Sequence, residues 1–300
     1  MSSIFFILIS ICAAPLLPGL INKVKAWFAG KQGPPLLQIY FNIFKFASKG
    51  AVYSQTTTWL FRAGPIFSLA GTVAALLILP AGSIPALITF EGDFILFIYF
   101  LAIGRFFTIL AALDTGSSFE GMGASRDAFF SALSEPALLV GIAVLARGTG
   151  TVSLTSMFSG LELSPWIAPL PALIMTAVAF FIVMLAENAR IPVDDPTTHL
   201  ELTMIHEVMI LDHSGPDLAM FTYGAALKLW IFAGLLVNLF LPAINLGKFV
   251  DLLSFIIGVA IIGVLIATVE SGMARLRLLK LPQLLVGAGV LTVIAFIILL

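Results

Sequence analysis

The chain has 300 residues, of which 60% are hydrophobic and only 10% charged, with a formal net charge of −1 and a mean hydropathy of +1.11. A soluble globular chain carries about 25% charged residues; this one has too few to cover a water-facing surface, so it is an integral membrane protein with no nucleic-acid footprint. Its single cysteine, Cys12, excludes an internal disulfide and a thiolate-held iron–sulfur cluster in this chain.

A membrane-spanning helix needs about 20 mostly apolar residues. Eight runs qualify, at roughly 3–21, 63–80, 94–113, 128–146, 165–186, 219–242, 252–269 and 283–300. The expected fold class is therefore all-α: a bundle of eight transmembrane helices in a single polytopic domain covering residues 1–300. The ten-residue alternation of a membrane β-barrel is missing. The first run has no basic segment before it and its positive charges follow it, so it reads as a retained helix and not a signal peptide.

After Gly33-Pro34-Pro35, the residues Leu36, Ile39, Tyr40, Ile43, Phe44 and Ala47 keep helical spacing, with Gln38, Asn42, Lys45 and Lys49 on the opposite face. This predicts an amphipathic helix along the cytoplasmic membrane surface, either an interfacial anchor or the lining of a docking surface.

Ionisable residues within a bilayer are costly and are functional candidates. At 1.5 Å per residue, Arg105 of the third run, Glu135 of the fourth and Lys228 of the sixth each lie ~10–14 Å inside the cytoplasmic ends of their runs. Asp114, Glu187 and Glu270 stand at the inner mouths of the third, fifth and seventh. Either these form interhelical ion pairs that fix packing, or they form a hydrated polar layer for proton movement and coupling. Pro136 loosens the helix beside Glu135, which favours the second. Two deep cations against one deep carboxylate leave an excess positive charge, so either Glu187 or Glu270 is expected to approach, or Lys228 to be partly neutral.

Between the third and fourth runs, Gly121-Met122-Gly123-Ala124 reads as a small-residue loop and not a phosphate cradle. The connection 187–218 is acidic and holds all three histidines, His199, His206 and His213. It is open to three readings: a partner-facing segment, proton handling, or a metal site on the face shared by His199 and His206. HExxH is absent because Ile210 stands where the second histidine is required. Thr197–Met209 is expected to form a short helix. No P-loop, dinucleotide fingerprint or nucleophile elbow occurs, so catalysis by this chain alone is unsupported.

Lysine and arginine set the orientation. Lys23, Lys25, Lys31, Lys45, Lys49, Arg62, Arg126, Arg190, Arg275, Arg277 and Lys280 fall in alternate connections, against Arg147 and Lys248 on the other side. Connections 22–62, 114–127, 187–218 and 270–282 are expected in the cytoplasm, with both termini outside.

Four segments carry a resemblance. Gly33-Pro34-Pro35-Leu36-Leu37-Gln38 with Lys45, the stretch Arg105–Arg126 with Glu135-Pro136, Glu187-Asn188-Ala189-Arg190-Ile191-Pro192-Val193-Asp194 with Glu201-Leu202, and Glu270–Arg277 together resemble the respiratory complex I subunit 1 family. The similarity is to its hydrogenase branch, the membrane subunits of formate hydrogenlyase, hydrogenase-4 and other group 4 energy-converting hydrogenases. It implies a cell inner-membrane subunit, not itself catalytic, that anchors a peripheral arm and couples it to proton or sodium translocation. The implied partners are hydrogenase-like large and small subunits, an iron–sulfur protein and antiporter-like membrane subunits. The [NiFe] centre and iron–sulfur clusters belong to those partners, and this chain is expected to hold no cofactor or metal. The charges within and at the mouths of the runs, Arg105, Asp114, Glu135, Glu187, Lys228 and Glu270, are the candidates for an ion or coupling pathway. The resemblance places Gln38, Lys45, Arg190, Asp194, Asp195, His199, Glu201 and Glu207 at a partner-facing or quinone-like site. Thr197 and His199 stand where the complex I branch has glutamates, and Asn42 where an aspartate is common, which speaks against a quinone pocket of that type. A quinone-binding subunit is the alternative within the family. A stand-alone secondary ion transporter is the alternative of another class; it would show internal repeats, and residues 1–150 and 151–300 show none.

Overall fold

The computed structural model describes residues 2–160, 170–194, 204–240 and 247–300. Among these the protein is helical, with one isolated β-bridge between Ala81 and Ile84. In chain order the helices are α1 Ser2–Ala13, α2 Leu16–Phe28, α3 Gln38–Ala47, α4 Trp59–Ile78, α5 Asp93–Asp114, α6 Ser118–Thr149, α7 Leu154–Ser159, α8 Leu170–Glu187, α9 Gly215–Phe240, α10 Lys248–Gly272 and α11 Leu281–Ile298.

Seven of these, α4, α5, α6, α8, α9, α10 and α11 with the short turn before it, are long and apolar enough to cross a membrane; α1 and α2 make an eighth as one span bent by 43°. The eight expected runs thus correspond to seven helices of crossing length and one bent pair. Pro15 has no N–H to offer the Ile11 carbonyl, so the ladder fails at Ala14-Pro15. In hydrocarbon a bare carbonyl costs several kcal/mol. Two tyrosines fill the gap: Tyr223 of α9 donates to the Ile11 carbonyl at 2.9 Å, and Tyr40 of α3 donates to the Cys12 carbonyl.

The amphipathic helix α3 forms where its spacing predicts, starting at Gln38. Helix α9 lies at the centre, packed against α1, α2, α3, α4, α8 and α10. Helices α4 and α5 run closely together. A Cβ on Gly71 would stand 2.4 Å from the Phe100 carbonyl oxygen, so only glycine permits that approach.

Two sequence expectations need correction. The connection 114–127 is not a loop: α6 begins at Ser118 and runs for 32 residues, ~48 Å, longer than the ~30 Å hydrocarbon core. Its small residues are a contact surface, since a Cβ on Gly123 would meet Val208 at 2.3 Å and the Ile205 carbonyl at 3.0 Å. They let segment 204–212 lie against the helix, where Glu120 accepts the Asp212 N–H at 3.1 Å. The expected helix Thr197–Met209 does not form in its described part, which holds only a 3-10 turn at Glu207–Ile210. Side-chain and backbone bonds to α6 and to Asp194 hold this segment in an irregular path instead. Residues 197–203 lie outside the described residues.

Candidate functional site: a buried charge cluster beside a cavity

Helices α5, α6, α8 and α9 each bring charge to one place. Arg105 of α5 bonds Glu135 of α6 at 2.6 Å and also Glu187 of α8. Lys228 of α9 reaches Glu187 at 2.9 Å, and Ser134 of α6 donates to the other Glu187 oxygen at 2.6 Å. Glu187 is the last residue of α8. At that helix end its carboxylate meets the deep cations of α5 and α9.

Asp127 of α6 lies 3.7 Å from the Arg105 guanidinium and 3.6 Å from Nδ1 of His206. Span counting singles out neither Asp127 nor His206, because the fourth run begins at residue 128. The signal is helical periodicity: Asp127, Ser131, Ser134 and Glu135 repeat along one face of α6. Of the two carboxylates expected to approach, Glu187 does so, and Asp127 joins it, so Arg105 and Lys228 meet three carboxylates, Asp127, Glu135 and Glu187.

The remaining candidates separate into other groups. Glu270 stands apart, ion-paired with Lys25 at 2.8 Å and with Arg190 at 3.5 Å, and so ties α2 and α10 to the connection. Asp114 caps α4 from outside the cluster, taking the Thr58 N–H at 2.6 Å and its hydroxyl at 2.9 Å. Asp194 is buried, paired with Arg275 at 2.9 Å, and accepts the N–H groups of Ile205 and His206 at 3.0 and 3.2 Å. Its place is inside the fold. Gln38 donates to Asn42 at 3.0 Å, and Lys45 is exposed. Asp195, His199 and Glu201 lie outside the described residues.

A cavity of about 430 Å³ opens beside the cluster. Arg105, Lys228, Arg190, His206 and Glu207 line it, with Pro18 and Asn22 of α2, Ile39 and Asn42 of α3, and Phe221 and Leu229 of α9. Among the described residues no three His, Cys, Asp or Glu side chains gather to ligate a metal ion.

A family model described as NADH dehydrogenase matches residues 1–300. The chain belongs to the NADH dehydrogenase family. Among curated relatives, it is 30% identical over 283 residues to formate hydrogenlyase subunit 4 of Escherichia coli strain K12, covering 92% of this chain and 91% of the relative. It is 33% identical over 231 residues to hydrogenase-4 component C of the same organism, covering 76% and 71%. A subunit of the NADH-quinone oxidoreductase of Rubrobacter xylanophilus is more distant, at 24% over 262 residues and 83% and 78% coverage. The fold of this chain is similar to that of a chain in the membrane-bound sulfane sulfur reductase, an archaeal respiratory membrane complex, with a TM-score of 0.83, 21% identity and coverage of 100% and 98%. These findings agree with the expected family branch and with the all-α membrane fold.

Proposed function

We propose that this chain is the membrane anchor and energy-coupling subunit of a hydrogenase-like, complex I-like respiratory complex. It holds hydrogenase-like large and small subunits and an iron–sulfur protein on its cytoplasmic face, and joins antiporter-like membrane subunits that move protons or sodium ions. The [NiFe] and iron–sulfur chemistry belongs to those partners. Family membership and the hydrogenase-branch relatives support this reading. The observation that carries the coupling role is Glu187, one buried carboxylate shared by Arg105 and Lys228 from two other helices. Where water is scarce, a unit of charge changes the energy of its neighbours by several kcal/mol. A charge change at the cytoplasmic face is therefore felt by the cluster.

The test uses the whole complex in sealed vesicles. Glu187→Gln keeps size and removes charge, so ion translocation should fall far more than electron transfer. Equal loss of both would make Glu187 part of an assembly contact and overturn the coupling role. A quinone-binding subunit is the second reading, favoured by the cavity with its apolar Pro18, Ile39, Phe221 and Leu229 and its polar Asn42 and Asn188. Under the leading reading, turnover needs no added quinone and ignores quinone-site inhibitors. Saturation by a quinone, with an apparent affinity altered by Asn42→Ala, would establish the second.

A further inference from the structure

Arg105 and Lys228 face three carboxylates, Asp127, Glu135 and Glu187. His206 stands at the edge of this group, with its Nδ1 3.6 Å from Asp127. Its ring also lines the cavity with Arg105, Lys228, Arg190 and Glu207, and its side chain is 32% exposed, so water can reach it. Histidine alone among side chains changes charge near neutral pH without special perturbation. From this we infer that His206 is the residue through which the cluster takes up and releases a proton. This rests on the coupling reading and names the titrating group within it.

When the ring gives its proton to water in the cavity, the imidazole is neutral and the charge of the cluster falls by one unit. Uptake of a proton from that water reverses the step. Among the described residues, the charges facing His206 are Asp127 from α6, with Arg105 of α5 behind it, Lys228 of α9, which also lines the cavity, and Arg190 and Glu207 from its own connection.

The position of His206 is enforced from the cytoplasmic side. Asp194 accepts the N–H groups of Ile205 and His206 and is itself paired with Arg275. Arg126 of α6 donates to the Met204 carbonyl at 3.0 Å. A shift of this segment by a docked partner would change the distance from His206 to Asp127, and with it the ease of holding the proton. Asp194 is thus a positioning residue for the histidine.

The experiment compares the wild-type complex in sealed vesicles with His206→Gln, which cannot titrate, and His206→Lys, which keeps its charge at neutral pH. Co-purification of partner subunits and thermal melting establish that each variant assembles. Electron transfer should stay within about twofold of wild type, while ions moved per electron should fall at least about fivefold in both variants. The infrared difference spectrum between the resting and the turning-over complex should contain an imidazole signal that His206→Gln lacks. Unchanged translocation in the variants of a working pump, or an unchanged imidazole signal, overturns the inference and leaves the coupling reading standing. Wild-type vesicles that transfer electrons without moving ions overturn the coupling reading itself, and the role of His206 with it.

Discussion

Arg105 meets three carboxylates, two of them at bonding distance. Removing one partner of a buried ion pair leaves the other charge uncompensated, at about 3–5 kcal/mol. Arg105→Ala should therefore lower the melting temperature and the yield of assembled complex. Arg105→Ala/Glu135→Ala should be milder than the two single changes combined, because the pair fails as a unit; additive losses in thermal unfolding would show the two to be independent. A second residue makes a different prediction. His213 precedes α9, stacked on Phe61 at 3.8 Å, and neither ring nitrogen has a hydrogen-bond partner. Burial pushes its pKa down to about 4. The unfolded chain, at about 6.5, then binds a proton that the folded chain refuses. Stability from this residue is full above about pH 6.5 and is lost as pH falls toward about 4, by on the order of 3 kcal/mol. His213→Phe keeps a stacking ring and should flatten the melting temperature of the purified protein across that window. An unchanged acid slope would assign the loss to other groups.

At the scale of elements, hydropathy shows where helices cross but not how they are interrupted. The run 3–21 is apolar throughout, and only Pro15 hints that α1 and α2 bend there. The tyrosines that complete the bend come from positions 40 and 223, too distant in sequence for any local pattern to reveal. Tyr223→Phe should cost about 1–3 kcal/mol, the penalty for an unmet buried carbonyl. The same change on a Pro15→Ala background should cost less, since the alanine brings a backbone N–H within reach of the Ile11 carbonyl. Equal costs in thermal unfolding of the purified protein would show that the hydroxyl is not the carbonyl's donor. The charge cluster is half legible in the sequence for a related reason. Arg105, Glu135 and Lys228 stand out because they sit within apolar runs. Asp127 and His206 do not, because a polar residue at the edge of a run looks like any solvated residue until the fold turns it inward.

At the scale of the whole molecule, the basic residues gather at one end of the bundle, which predicts connections 22–62, 114–127 and 187–218 in the cytoplasm. In a Cys12→Ser background, Lys31→Cys and Ser117→Cys should resist an impermeant thiol reagent applied to intact cells and react after permeabilisation. Reaction in intact cells would reverse the topology. That same end carries the exposed start of α6, the interfacial α3 and the clasped segment 204–212, so a cytoplasmic partner would rest on residues that also position the buried charges.

The bent first span has one more consequence, for traffic through the side of the protein. Helices α2 and α3 supply neighbouring parts of the cavity wall, through Pro18 and Asn22 on one and Ile39 and Asn42 on the other. The bond that pins α3 to the first span is the Tyr40 hydroxyl on the Cys12 carbonyl. Parting α3 from the first span would strip that carbonyl of its donor, and a bare carbonyl that meets hydrocarbon costs several kcal/mol. The seam is therefore self-latching: a lipid-borne molecule wedging into it must either bring a donor for the orphaned oxygen or leave it bare. Long apolar guests without such a group should be turned away, and small water-borne ones arriving from the cytoplasmic mouth should not meet the latch at all.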